Sequence, residues 1–120
     1  MRVIDFLLII LSTALLVVNQ IALKLWMVNT KVSVWPLNMP FFRNLFSVEI
    51  LISILSIGIS AIIWLGLLKK LEFSVLYPMI SFSYIFGILA AIFIFKENVP
   101  LIRWMGVAFI ILGIILVSRN

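Results

Sequence analysis

Four apolar runs, each near the length needed to cross a bilayer, leave this 120-residue chain little room for anything but membrane-spanning helices. A transmembrane helix takes about 20 mostly apolar residues, because the hydrocarbon core is about 30 Å thick and each helical residue rises about 1.5 Å. The runs at about 3–27, 48–68 and 73–95 meet that length, and the run at about 101–117 stands at its short end. With 66% hydrophobic and 11% charged residues, the chain has too little polar surface to hide such runs from water. Lipid must therefore be its solvent. The expected fold is an all-α integral membrane protein, one four-helix domain over 1–120. The first run is too long for a signal-peptide core and lacks a small-residue cleavage site, so it is expected to stay as a span.

The connections differ in length. Those at 69–72 and 96–100 are tight, which makes spans two, three and four antiparallel neighbours. Asn98 and Pro100 break the chain before span four, and proline is tolerated in a helix's first turn. Only the segment at about 28–47 is long, and it carries Trp35, Pro36, Pro40, Phe41, Phe42 and Arg43. That amphipathic mixture suits a segment lying in the headgroup region; an ordinary exposed loop is the alternative.

Whole classes of chemistry drop out. No cysteine is present, which removes disulfides and thiolate metal sites, and no histidine, which removes the commonest metal ligand and general base. No nucleophile–base pair, metal cluster or phosphate-binding loop is evident, so neither catalysis nor a cofactor or metal is expected. The net charge of +5 consists of isolated cations at helix ends, not a nucleic-acid-binding patch. Arg2, Lys69, Lys70 and Arg119 fall on the side of the termini; Lys24, Lys31, Arg43, Lys96 and Arg103 fall on or near the other. Four against five gives almost no orientation by the lysine/arginine rule. Either a partner sets the topology or the chain inserts both ways and assembles as an antiparallel dimer.

The polar residues inside the spans are few and ordered. In span two, Glu49, Ser53, Ser56 and Ser60 recur at offsets of 4, 7 and 11; in span three, Ser74, Tyr77, Ser81 and Tyr84 recur at 3, 7 and 10. Each set shares one helical face. In span one, Thr13, Gln20 and Lys24 are spaced by 7 and 4, with Leu16 at the missing step. Serines and threonines of this kind can bond their own helix or a neighbouring one. Three aligned stripes with an amide, a lysine and two tyrosines favour a shared polar cavity. Lys24 is the costliest member, since a cation near mid-bilayer costs about 2.5–3.5 kcal/mol even on insertion scales. Span four has no stripe but carries Gly106 and Gly113 one heptad apart, with Ala108 nearby, which suits close helix packing at a dimer seam.

Four helices with tight second and third turns and the Gly106–Gly113 pair resemble the small multidrug resistance branch of the drug/metabolite transporter superfamily. A narrower likeness lies in Val-Leu-Tyr-Pro-Met-Ile-Ser from Val75 to Ser81, in the Lys96, Glu97, Asn98, Val99 turn, and in the run from Arg103 through Trp104 and Gly106 to Ile111. These stretches, with Gln20 and Lys24 at the end of the first span, resemble the small subunits of the aminoarabinose-phosphoundecaprenol flippase. The likeness is good over the C-terminal half and thin elsewhere. It implies a transporter that moves a polyprenyl-phosphate-linked sugar across the bacterial inner membrane for envelope lipopolysaccharide modification. It also implies work as a homodimer or as a heterodimer with a paralogous four-helix subunit. The departures matter too: the drug exporters' membrane-embedded glutamate falls at Leu16, their third-helix tryptophan falls at Ile80, and no acid lies between Asp5 and Glu49.

On this reading the headgroup phosphate docks at Lys24, with Gln20 donating to phosphate or sugar and Arg103 available as a bidentate clamp. Tyr77, Ser81 and Tyr84 hold the sugar. Lys24 and Arg103 can each instead be an interfacial anchor, the latter beside Trp104. Glu97 either caps the following helix or pairs with Lys96. Glu49 snorkels, pairs with Lys24, or titrates as a proton-coupling site. Two other functions stay open: a proton-coupled exporter of a small cation or drug using Glu49, and a non-transporting membrane subunit of an envelope-glycolipid synthesis complex.

Overall fold

A computed structural model of the chain describes residues 3–30 and 47–119. Four helices in it are long and apolar enough to cross a membrane, and no strand occurs among the described residues. The first, α1 (Val3–Thr30), has 28 residues and so measures about 42 Å, longer than a hydrocarbon core. It continues beyond the span expected to end near residue 27, and nothing in its sequence interrupts it. The surface segment expected over 28–47 lies for the most part (31–46) outside the described residues.

The second helix, α2 (Val48–Lys70), begins where Ser47 Oγ accepts the Ile50 N–H at 3.3 Å. That bond satisfies one of the orphan donors of a helix start, and Glu49 in the first turn complements the positive end of the dipole. Lys69 and Lys70 do the same at the negative end, where Leu71 N–H closes onto Leu67 O at 2.9 Å.

The third span was expected as one uninterrupted helix over 73–95, and here the structure differs. It consists of α3 (Phe73–Leu76), a 3₁₀ segment at Tyr77–Ser81 and α4 (Phe82–Phe93). The cause is Pro78. Its ring has no N–H to donate and crowds the preceding turn, so the α ladder gives way to tighter i→i+3 bonding before resuming. The last helix, α5 (Leu101–Ser118), starts directly after Pro100, whose extended ψ of 159° sets the entry angle.

α1 forms the central column, packing along the length of α2 and against α4. The core gathers Ile9, Leu67, Leu76, Met79 and Ile114, with Phe6 edge-on to Phe82 at 5.5 Å between ring centroids. In lipid, apolar side chains gain little by turning inward, so helix association rests on close packing and interhelical hydrogen bonds. The α1–α2 seam shows both. The buried residues of α2 are Ser53, Ser56, Ser60 and Leu67, three of them serines from the span-two stripe. Ser60 Oγ donates to Ser12 O at 2.9 Å and its hydroxyl lies 3.1 Å from that of Ser12, while Ser53 Oγ donates to Asn19 Oδ1. Thr13 Oγ1 turns back to its own helix, onto Ile9 O at 2.9 Å. The expectation that this stripe opens onto a shared cavity is therefore corrected for Ser53: its small, satisfied hydroxyl joins helix to helix.

Candidate substrate-binding site

The site around Lys24 is built by the turn after the third span. α4 does not end on glycine; it overruns, with Phe95 N–H reaching Ala90 O at 3.2 Å and Glu97 N–H reaching back to Ala91 O at 2.9 Å. Between them Lys96 takes a left-handed conformation, φ 57°. That reversal folds Glu97 against the end of the helix and carries its carboxylate to α1. Lys24 Nζ donates to Glu97 Oε1 at 2.9 Å, across 73 residues of sequence. The same ammonium sits 4.4 Å from the centroid of the Phe95 ring, a cation–π contact that holds it from below. Lys24 and Glu97 remain about half exposed, at 51% and 43%.

Beside the pair lies a cavity of about 350 Å³, open to one side, whose polar lining residues are Gln20, Lys24 and Glu97. Its floor is made of small residues, Gly87, Ala90 and Ala91 of α4, which let the two helix backbones form a hollow. A cation, an amide and a carboxylate on an otherwise apolar wall can bind an anion, a cation or a group carrying both.

Of the residues expected at the site, the structure brings together Gln20, Lys24 and Glu97. The others stand elsewhere. Tyr77 is exposed and stacks on Phe73 at 5.2 Å, Tyr84 is exposed on α4, and Ser81 is half-buried at the end of the 3₁₀ segment. Arg103 is exposed in the first turn of α5 and does not line the cavity. Glu97 caps no helix, for α5 begins at Pro100 without a side-chain cap, and its partner is Lys24 rather than Lys96. Glu49 occupies the first turn of α2 and is not the partner of Lys24. Gly106 and Gly113 meet nothing within 4 Å of where a Cβ would stand.

Three participants escaped the sequence. Phe95 gave no signal beyond its place before Lys96. Asn19 stood next to the more conspicuous Gln20 yet bonds Ser53 in the seam. Asp5, 5% exposed, lies 3.7 Å from Lys70 Nζ and ties the start of α1 to the end of α2. An acid in a first turn facing a lysine pair on the same membrane side was a legible signal for that contact.

A second cavity, of about 220 Å³, lies farther along α1. Leu16, Ile57, Trp64 and Ile80 form its apolar walls, and Ser12, Thr13 and Ser60 contribute hydroxyls already bonded to one another's helices or to their own. Leu16 and Ile80 thus face one hollow with no carboxylate among its lining residues.

Four long apolar helices, a buried hydroxyl seam and a charged pair at one end define a multi-pass membrane protein. Its sequence is close to small flippase subunits of bacteria. It is 38% identical over 69 residues to "Probable 4-amino-4-deoxy-L-arabinose-phosphoundecaprenol flippase subunit ArnE" of Pseudomonas fluorescens, a match covering 58% of this chain and 60% of that protein. The proteins of the same name from Yersinia pseudotuberculosis and Yersinia pestis are 45% and 43% identical over 67 residues, each match covering 56% of this chain and 59% of the relative. The chain thus spans about three-fifths of the length of the relatives it matches. No family model matches the chain, and no solved structure does. With such relatives and four spans, the protein belongs to the bacterial inner membrane as a multi-pass protein.

Proposed function

We propose that this chain is a flippase, or a subunit of one, that moves a polyprenyl-phosphate-linked sugar across the inner membrane by alternating access. The observation that carries the reading is the cavity at Lys24. A cation is costly in a membrane helix, and this one stands with Gln20 at the mouth of a hollow of about 350 Å³ between α1 and α4. Its neighbour Phe95 offers an apolar face of the kind on which a sugar ring rests. The polyprenyl tail remains in lipid while the headgroup enters between the helices. The names of the relatives, which specify a flippase subunit for an aminoarabinose-phosphoundecaprenol, support the same substrate class.

The relatives are named as flippase subunits, which supports reading the protein as a transporter rather than an enzyme. It works as a dimer, with itself or with a paralogous four-helix subunit. α5 is the surface for that contact: only Val107 and Ile114 of it are buried, and the backbone at Gly106 and Gly113 is open to close approach. In the dimer Tyr77 and Tyr84, which face outward in one subunit, are available to a cavity shared by two. The proton-coupled exporter is the weaker reading, because Glu49, the carboxylate it would use, lines neither the cavity at Lys24 nor the one at Leu16.

Native mass spectrometry of the chain in mild detergent tests the proposal. The expected spectrum shows a dimer retaining polyprenyl-phosphate sugar lipid, and Lys24→Ala loses that lipid while keeping the dimer. A wild-type protein that retains only bulk phospholipid contradicts it.

A further inference from the structure

The Lys24–Glu97 pair has a consequence for which headgroups the site accepts. Taken with Gln20, the cavity is electrically neutral: one ammonium, one carboxylate and one amide. A headgroup carrying only a phosphate must displace Glu97 from Lys24 and then lie beside the released carboxylate. Two anions then share one lysine in a membrane site where like charges are poorly screened. A headgroup carrying both a phosphate and an ammonium avoids that cost. Its phosphate takes Lys24, its ammonium takes Glu97, and each protein charge exchanges one partner for another.

The geometry favours such an exchange. The pair is half exposed and therefore reachable from the cavity. Glu97 is held by a single turn, whose left-handed residue Lys96 gives it a fixed direction into the hollow. Phe95 already faces an ammonium at 4.4 Å, so its ring is placed to receive a second cation or the ring of an aminosugar between the separated partners.

We infer that Glu97 is a specificity-determining residue: it reads an ammonium group on the lipid-linked sugar, and the Lys24–Glu97 ion pair is opened by a zwitterionic headgroup. The inference rests on the proposed transport of a sugar phosphate lipid and assigns to Glu97 the choice between aminated and plain sugars.

The test compares two probes in nanodiscs containing the full chain: a polyprenyl-phosphate aminopentose, and the same lipid with a hydroxyl in place of the amine. Wild-type protein is expected to bind the aminated lipid at least tenfold more tightly. Glu97→Gln, which keeps the side chain's size, should shrink that preference to within twofold, chiefly by binding the plain sugar lipid better. Glu97→Asp, which keeps the charge, should retain most of the preference. Two results overturn the inference: equal binding of both lipids by wild type, or a Glu97→Gln protein with the preference intact. Failure of both probes to bind wild type above a neutral polyprenol overturns the transport reading itself, so the two failures are distinguishable. Circular dichroism on each variant confirms that the helices persist.

Discussion

At the scale of single residues, the cost of a lysine in α1 is met by two contacts that sequence spacing does not reveal, Glu97 at 2.9 Å and the Phe95 ring at 4.4 Å. Lys24 was conspicuous in the sequence because hydrocarbon cannot solvate it, whereas Glu97 was legible only as an acid near a helix end. What joins them is the backbone of Lys96, and a left-handed residue leaves little trace in a sequence unless it is glycine or asparagine. This gives a prediction at that position. A β-branched residue tolerates the left-handed region poorly, so Lys96→Val should lower stability by about 1–2 kcal/mol and uncouple Glu97 from Lys24. Lys96→Gly should be close to neutral. Denaturation in detergent measures the first effect, and the accessibility of Lys24 to an amine-reactive reagent measures the second. Another prediction concerns the floor of the cavity. A Cβ at Gly87 meets no atom within 4 Å, so Gly87→Ala should fold normally, whereas Gly87→Leu should fill the hollow and depress lipid binding at least severalfold.

Among the helical elements, the spans were legible because bilayer thickness imposes their length, but their contacts followed subtler rules. The serines of α2 and the polar residues of α1 carry matching heptads, Ser53 to Ser60 and Asn19 to Ser12, which meet in antiparallel register as Asn19–Ser53 and Ser12–Ser60. Each stripe was visible alone; their pairing was not, because one stripe by itself is compatible with a cavity, a neighbour or its own backbone. Membrane hydrogen bonds of this kind average about 0.6 kcal/mol in double-mutant cycles. A cycle of Asn19→Ala with Ser53→Ala should therefore yield a coupling of about 0.6 kcal/mol, measured by unfolding in mixed micelles, and zero coupling contradicts the seam. The break in the third span has a clear source in Pro78, although the expected helix ran straight through it. Pro78→Ala should restore a continuous α ladder and rotate Tyr84 relative to Tyr77, which spin labels placed on α3 and α4 can detect as a changed distance.

On the scale of the molecule, charge pairs hold α1 near both ends. Asp5 meets Lys70 near its start, and Lys24 meets Glu97 toward its other end, while serine contacts fill the interval. α5, by contrast, turns most of its side chains outward, with Val107 and Ile114 its buried residues. A single subunit therefore offers a half-open hollow rather than an enclosed path, and in the proposed dimer a second subunit docked on α5 would close it. Gly113→Leu should leave the monomer's helices intact and shift the protein from dimer toward monomer in native mass spectrometry. The central claim is that Lys24 binds the phosphate of a lipid-linked sugar during its passage across the membrane, and translocation by the chain reconstituted in proteoliposomes, with any co-purifying subunit, tests it most directly. Wild-type protein should move a polyprenyl-phosphate sugar to the opposite leaflet, and a folded, assembled Lys24→Ala protein should do so at least tenfold more slowly. Undiminished translocation by that variant contradicts the account.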